Sequence, residues 1–332
     1  MSLTRIPVTL ISGFLGAGKT TLVNQLLAQR SFETIGVIVN EFGEVGIDGQ
    51  LILADDNPVI EINNGCVCCT VRKDLALAVH DMLQRSPRTI DRLIIETSGL
   101  ADPAPVLQTF LADPEMLQRV ALESVITVVD AGHVHWHIHD EIVREQIAFA
   151  DVVVLNKTAL VDAAGLQRVG HEIQRLNPAA VVLHSNHSQL AASALLGTQR
   201  FALSNVLAIE PDLLDGGEHE HAHDLSIQSL CLVAEGSLDP QRFNRWINQL
   251  VQAQGAQLLR IKGVLSLHGE AREFFFHGVH MLLDSQPGRR WPADRPRQST
   301  LVFIGRNLDA AALRQGFLAC LFSLPVPTLA HH

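Results

Sequence analysis

Up to about Ser204 the chain alternates short, continuous apolar runs, rich in β-branched residues, with stretches whose apolar positions recur every three or four residues. The runs Ile6–Ser12, Thr34–Asn40, Val59–Ile62, Arg92–Thr97, Ser124–Asp130, Val152–Asn156 and Val181–His184 predict strands. Lys19–Gln29 and Leu75–Gln84 predict helices, the second within a helix beginning near Thr70. Strands that are apolar at every position, not at alternate ones, belong in a parallel sheet covered on both faces by helices. The first 205 residues are therefore expected to form a doubly wound, mostly parallel α/β domain.

The pattern then breaks. Pro211–Asp224 is a run of proline, glycine, acids and histidines, and reads as part of an exposed linker spanning 206–225. Beyond it, strands are expected at Ile227–Ala234, Leu258–Leu267, Glu273–Leu283 and Thr300–Gly305, with helices at Asp239–Gln252 and from Asp309. That order suits a smaller α+β domain over 226–325, with helices on one face of a mostly antiparallel sheet.

Composition narrows the function classes. With 332 residues, 47% hydrophobic and 18% charged, the chain has ample material for two globular cores. No apolar stretch has the length of a membrane span, so no membrane partner is expected and the cytoplasm is the expected location. The formal net charge of −10, with no basic stripe, disfavours a nucleic-acid partner, because phosphate neutralisation needs a basic face. The sequence leaves a homo-oligomer open.

Gly13-Phe-Leu-Gly-Ala-Gly18-Lys19-Thr20 has the form G-x-x-x-x-G-K-[ST], between a predicted strand and a predicted helix. Glycines let backbone N–H groups wrap phosphates, and the helix directs its positive end toward them. Gly13, Gly16, Ala17, Gly18, Lys19, Thr20 and Thr21 are the expected phosphate-binding set. Lys19 should reach the β- and γ-phosphates, and the Thr20 hydroxyl should ligate magnesium. The first domain thus reads as a P-loop NTPase sheet.

Leu93–Gly99 is an apolar strand ending in an acid and a glycine, the layout of a Walker B segment, with Glu96 as the acid. A carboxylate there holds magnesium through water or orients the attacking water; Asp91 and Asp130 are the alternative magnesium partners. Asn156-Lys157-Thr158-Ala159 stands where guanine-binding P-loop proteins carry Asn-Lys-x-Asp. Asn156 and Lys157 should shape the base pocket. Ala159 replaces the acid that would accept both guanine N–H groups, and Asp162 could substitute only through a rearranged loop.

Three of the five cysteines lie in Gly65-Cys66-Val67-Cys68-Cys69, between a predicted strand and a predicted helix. In a cytosolic chain such spacing reads as metal or redox chemistry, not as a disulfide framework. Three thiolates converging in a turn suit zinc, and the lack of a second CxxC leaves a fourth position open for a metal that is accepted and surrendered. Cobalt, nickel or iron would fit the same donors. Cys231 and Cys320 lie in apolar patterns and read as core. Glu41, Glu44 and Asp48 fall where nucleotide-dependent switches often lie, as metal ligands, switch groups or solvated charges. His219, His221 and His223 in the linker could feed metal loosely; the run His133–His139 reads as a helix start or surface segment.

Together Gly13–Thr20, Asn40–Glu44, Gly65–Cys69, Glu96–Gly99 and Asn156–Lys157, in this order and spacing, resemble the CobW-like GTPases, related to the nickel-enzyme accessory GTPases. Arg260–Gly263 and Leu301–Gly305 resemble that family's small C-terminal domain. The resemblance implies GTP hydrolysis with magnesium, zinc binding at Cys66, Cys68 and Cys69, a mobile acidic switch at Asn40–Asp48 and delivery of metal to a client metalloprotein. Two other functions fit parts of the sequence. A P-loop kinase or ATPase acting on a small molecule, or assisting cobalamin synthesis, leaves the cysteines unused. A metal-storage or regulatory protein makes the hydrolysis vestigial.

Overall fold

A computed structural model describes residues 5–30, 33–41, 59–63, 69–85, 90–197, 227–292 and 295–322, with the backbone course alone for 40–41, 59–63, 69–74 and 85. The chain divides into two compact units between Asn205 and Val206.

In the first unit seven strands form one sheet: β1 (Ile6–Ser12), β2 (Ile35–Glu41), β3 (Val59–Asn63), β4 (Arg92–Thr97), β5 (Val120–Asp130), β6 (Val152–Asn156) and β7 (Val181–His184). Their order is β3-β2-β4-β1-β5-β6-β7, and every neighbouring pair is parallel. The helices are α1 (Lys19–Gln29), α2 (Cys69–Arg85), α3 (Ala104–Ala112), α4 (Pro114–Arg119), α5 (Val134–His137), α6 (Glu141–Phe149) and α7 (Ala163–Leu176). The apolar runs follow from burial on two sides. On β6, Val152 and Val154 pack in a core with Leu22 and Leu26 of α1, whereas Val153 and Leu155 pack with Ile147 of α6 and Ile173 of α7.

The second unit is a five-stranded antiparallel sheet in the order β11-β10-β9-β12-β8, built from β8 (Ile227–Glu235), β9 (Leu258–Ser266), β10 (Arg272–Val279), β11 (Leu282–Arg290) and β12 (Gln298–Arg306). Helices α8 (Pro240–Gln254) and α9 (Ala310–Leu318) share one core with it: Phe243, Ile247 and Val251 of α8 and Leu313 and Phe317 of α9 meet Ile261, Leu301 and Phe303. Asp239 and Asp309 cap the two helices, Asp239 accepting the N–H groups of Gln241 and Arg242 and Asp309 that of Ala312. Cys231 and Cys320 are buried, and burial pushes each thiol up to about 11, against nearby arginines, so both act as small apolar side chains.

One expected strand proves to be two. Glu273–Leu283 turns at His280 and Met281, with Val279 paired to Leu282 and His280 at φ 51°. Turns of this kind ordinarily use Asn or Gly, so His-Met carries no turn signal. Pro287 is tolerated because β11 is the edge strand.

Candidate functional site

Because the first sheet is parallel, every strand delivers the chain to the same edge, where P-loop folds bind ligands. The phosphate loop leaves β1 there, and β4, β5, β6 and β7 bring up Glu96, Asp130, Asn156 and the 185–188 turn. β2 and β3 end on the same edge at Glu41 and Asn63, and α2 begins at Cys69. Glu44, Asp48, Cys66, Cys68, His219, His221 and His223 lie outside the described residues, as do the side chains of Glu41 and Cys69.

The loop's glycines answer to its shape. Gly13 has φ 138°, and a Cβ there would run into the Val128 carbonyl of β5. Gly18 has φ 107°, and a Cβ there would strike the Asn156 amide. Both positions require glycine. Gly18 leads into α1 with no side-chain cap and no acid in the first turn, so the first N–H groups of that helix face the loop as an anion site. Lys19 is buried, with Nζ donating to the Phe14 carbonyl at 3.3 Å.

Thr20 Oγ1 donates to Glu96 Oε1 at 2.7 Å. Glu96 is 1% exposed at the end of β4, with Ile11 of β1 as its register partner. A hydroxyl beside a carboxylate at a phosphate loop is a set of hard oxygen donors, which fits magnesium. The alternatives are otherwise engaged. Asp91 precedes β4, at the opposite edge, and accepts the Thr34 N–H at 2.8 Å. Asp130 pairs with Lys157 at 2.7 Å.

Asn156 works as a clamp. Its amide nitrogen donates to the Ala17 carbonyl at 2.9 Å and to Ser188 Oγ at 3.1 Å, and its oxygen accepts the Ser188 N–H at 2.9 Å. Ser188 Oγ in turn donates to the Gly18 carbonyl at 3.1 Å. The phosphate loop is thereby tied to β6 and to the turn after β7. Lys157 sits at φ 59°, ψ 33° and donates to the Gly16 carbonyl at 2.8 Å. Ala159 offers only backbone, its N–H held by Asn186 Oδ1 at 2.7 Å. Asp162 caps α7, accepting the Gly165 N–H at 2.7 Å, and so is committed away from the base-pocket role open to it in the sequence. Sequence reasoning missed Asn186 and Ser188, because turn residues so far from the loop carry no local signal.

Beside the loop, a cavity of about 380 Å³ opens between Phe14 and Leu15, the end of β5, and α5 and α6. The histidine run forms α5 on the surface, with Trp136 65% exposed. His133 Nδ1 lies 2.9 Å from Asp130 Oδ2, and His137 Nδ1 lies 2.7 Å from Asp140 Oδ2. Among the described residues no group of three or more His, Cys, Asp or Glu is placed to hold a metal.

Comparison with known proteins agrees with this geometry. Residues 7–184 match the CobW/HypB/UreG nucleotide-binding domain, and 227–321 match the cobalamin synthesis protein cobW C-terminal domain. The chain is 35% identical to the zinc chaperone YjiA of Escherichia coli, over 94% of this chain and 98% of that protein. It is 32% identical to the zinc chaperone CobW of a Sinorhizobium species, over 95% and 97%. It is 27% identical to the zinc-regulated GTPase metalloprotein activator 1 of Schizosaccharomyces pombe, over 91% and 83%. Its fold is similar to the crystal structure of the Zn(II)-bound YjiA GTPase from E. coli, with a TM-score of 0.72 and 29% identity, over 96% of this chain and all of that one. A phosphate loop clamped by Asn156, a Thr20–Glu96 pair beside it, and matches that run through both units place this chain in the CobW/HypB/UreG family of nucleotide-binding proteins.

Proposed function

We propose that this chain is a GTP-hydrolysing metallochaperone that holds zinc, or a similar transition metal, and surrenders it to a client metalloprotein. The observation that carries the hydrolytic half is the Thr20–Glu96 contact at the mouth of the phosphate loop. Lys19, Gly13, Gly16, Ala17, Gly18 and Thr21 hold the triphosphate through backbone N–H groups and the lysine ammonium. Thr20 and Glu96 hold magnesium, which, when bound, neutralises charge on the phosphates. Glu96 keeps the Thr20 hydroxyl oriented and directs the attacking water. Lys157 lines the base site, and Asn156 keeps the loop in shape behind it.

The metal-carrying half rests on the donor chemistry of Cys66, Cys68 and Cys69 and on relatives named as zinc chaperones. Zinc is cargo in this reading, and cobalt or nickel are its chemical competitors. Glu41, which ends β2 on the nucleotide edge, and Glu44 and Asp48, which come after it in sequence, serve as the switch, while His219, His221 and His223 feed the thiolates. The test is zinc binding by the purified protein alongside GTP turnover. Stoichiometric zinc that is lost in Cys68→Ser, with zinc-sensitive hydrolysis, supports the reading. Turnover that needs a phosphate acceptor and ignores zinc would replace it with a small-molecule kinase.

A further inference from the structure

The hydrolytic scheme gives no role to His133, on the nucleotide edge. His133 stands just past β5, with Nδ1 donating to Asp130 Oδ2 at 2.9 Å. The same oxygen accepts from Lys157 Nζ at 2.7 Å, and that ammonium also donates to the Gly16 carbonyl at 2.8 Å. Asp130 Oδ1 accepts the Gly132 N–H at 2.9 Å. Three hydrogen bonds thus run in series from a half-exposed imidazole to the backbone of the phosphate loop. Burial works against the Asp130 carboxylate, but the Lys157 and His133 hydrogen bonds, the lysine charge and the Gly132 N–H outweigh it and hold its pKa below the usual value. The middle of the series therefore stays anionic.

We propose that His133 is a positioning residue for the nucleotide: it fixes the Asp130 carboxylate, which fixes the Lys157 ammonium on the Gly16 carbonyl. The inference rests on the reading of Lys157 as a wall of the base site. Lysine has a long, rotamer-rich stem, and a stem that must be ordered at the moment of binding weakens the binding. Two donors on one carboxylate oxygen, with a third on its mate, leave that carboxylate a single orientation. The His133 ring is itself steadied against Trp136, with centroids 5.2 Å apart. The series includes neither Lys19 nor Thr20 and Glu96, to which the scheme assigns the γ-phosphate and magnesium, so the effect belongs to affinity and not to the chemical step.

Fluorescent GTP analogue titrations and steady-state turnover on the full chain test this. His133→Leu removes the donor at a half-exposed position, and unfolding midpoints check that the fold is kept. The expected result is a rise in Kd and KM of about tenfold, or ~1.4 kcal/mol, with kcat held. His133→Asn, whose amide nitrogen can stand in for Nδ1, should recover most of the loss. In a Lys157→Met background the leucine substitution should cost nothing more. Unchanged affinity in His133→Leu, beside weakened affinity in Lys157→Met, would overturn the inference while leaving Lys157 its role. So would an equal loss in both backgrounds, since His133 would then act by another route. Wild-type affinity in Lys157→Met would remove the reading of Lys157 itself, and this inference with it.

Discussion

Thr20 and Glu96, 76 residues apart in sequence, meet with Oγ1 2.7 Å from Oε1 because β1 and β4 are neighbours in a parallel sheet. The hydroxyl proton is committed to the carboxylate, so the oxygen lone pairs of Thr20 are left for a cation at the phosphate loop. A carboxylate with 1% exposure can serve this way only while a donor and a cation accompany it. Glu96→Gln keeps an acceptor for Thr20 but removes the charge. GTP turnover should fall by at least about 100-fold, with a raised magnesium requirement. Single-turnover hydrolysis across a magnesium titration measures both. Turnover within a few-fold of wild type at saturating magnesium would move the acid's role elsewhere.

Lys19 is buried, with its ammonium donating to the Phe14 carbonyl of the phosphate loop. Lys19→Ala should abolish hydrolysis while leaving the thermal unfolding curve close to wild type. Circular dichroism melts beside a phosphate-release assay check the pair of outcomes. Retained turnover would remove the P-loop assignment, and lost folding would make Lys19 a structural residue.

Base selectivity should be weak. Ala159 presents no carboxylate, its N–H is occupied by Asn186, and Asp162 is held as the cap of α7. Each charge-assisted hydrogen bond missing from guanine is worth ~1.5 to 3 kcal/mol. Competition of GTP against ATP and XTP should therefore show a modest preference that Ala159→Asp sharpens. Asp162→Ala should cost stability of about 1 kcal/mol through the lost cap and leave the preference alone. A native preference of several orders of magnitude, lost in Asp162→Ala, would show that the loop rearranges around the nucleotide.

What the sequence disclosed follows the range of the interactions. β1, β4, β6, β7 and α1 have the predicted bounds, and for β4 and β6 the reason is that burial on both faces of a parallel sheet writes itself into consecutive residues. The phosphate loop is equally local, since its glycines, lysine and threonine are all set by one turn. The β10–β11 hairpin was hidden because His280 adopts a left-handed conformation that its residue type does not advertise. The clamp between Asn156 and Ser188 joins residues 32 apart through a turn after β7 that has no pattern of its own. Asp130 was visible as an acid at a strand end, but its partner Lys157 came into reach only once β5 and β6 were paired.

Nucleotide state and cargo binding should be coupled. β2 and β3 end at Glu41 and Asn63 on the edge that carries the phosphate loop, and the acidic and cysteine-bearing segments follow those strands directly in sequence. A γ-phosphate with magnesium orders chain near it, and chain ordered in one nucleotide state can supply or withdraw a ligand that the other state does not. Zinc affinity at Cys66, Cys68 and Cys69 should accordingly differ between the triphosphate and diphosphate forms. A tenfold difference needs only ~1.4 kcal/mol of differential binding. Linkage makes the effect reciprocal, so zinc must shift the GTP:GDP affinity ratio by the same factor, which gives an internal check. Competition against a chromophoric zinc chelator, run with a non-hydrolysable triphosphate and then with GDP, measures the first factor; fluorescent-nucleotide titrations with and without zinc measure the second. Equal zinc affinities in the two states, at a site confirmed by Cys68→Ser, would mean that hydrolysis and metal binding share a chain without driving one another. Glu44→Gln separates the routes: if the acidic segment supplies the ligand, the difference between nucleotide states shrinks while the diphosphate-state affinity stays where it was.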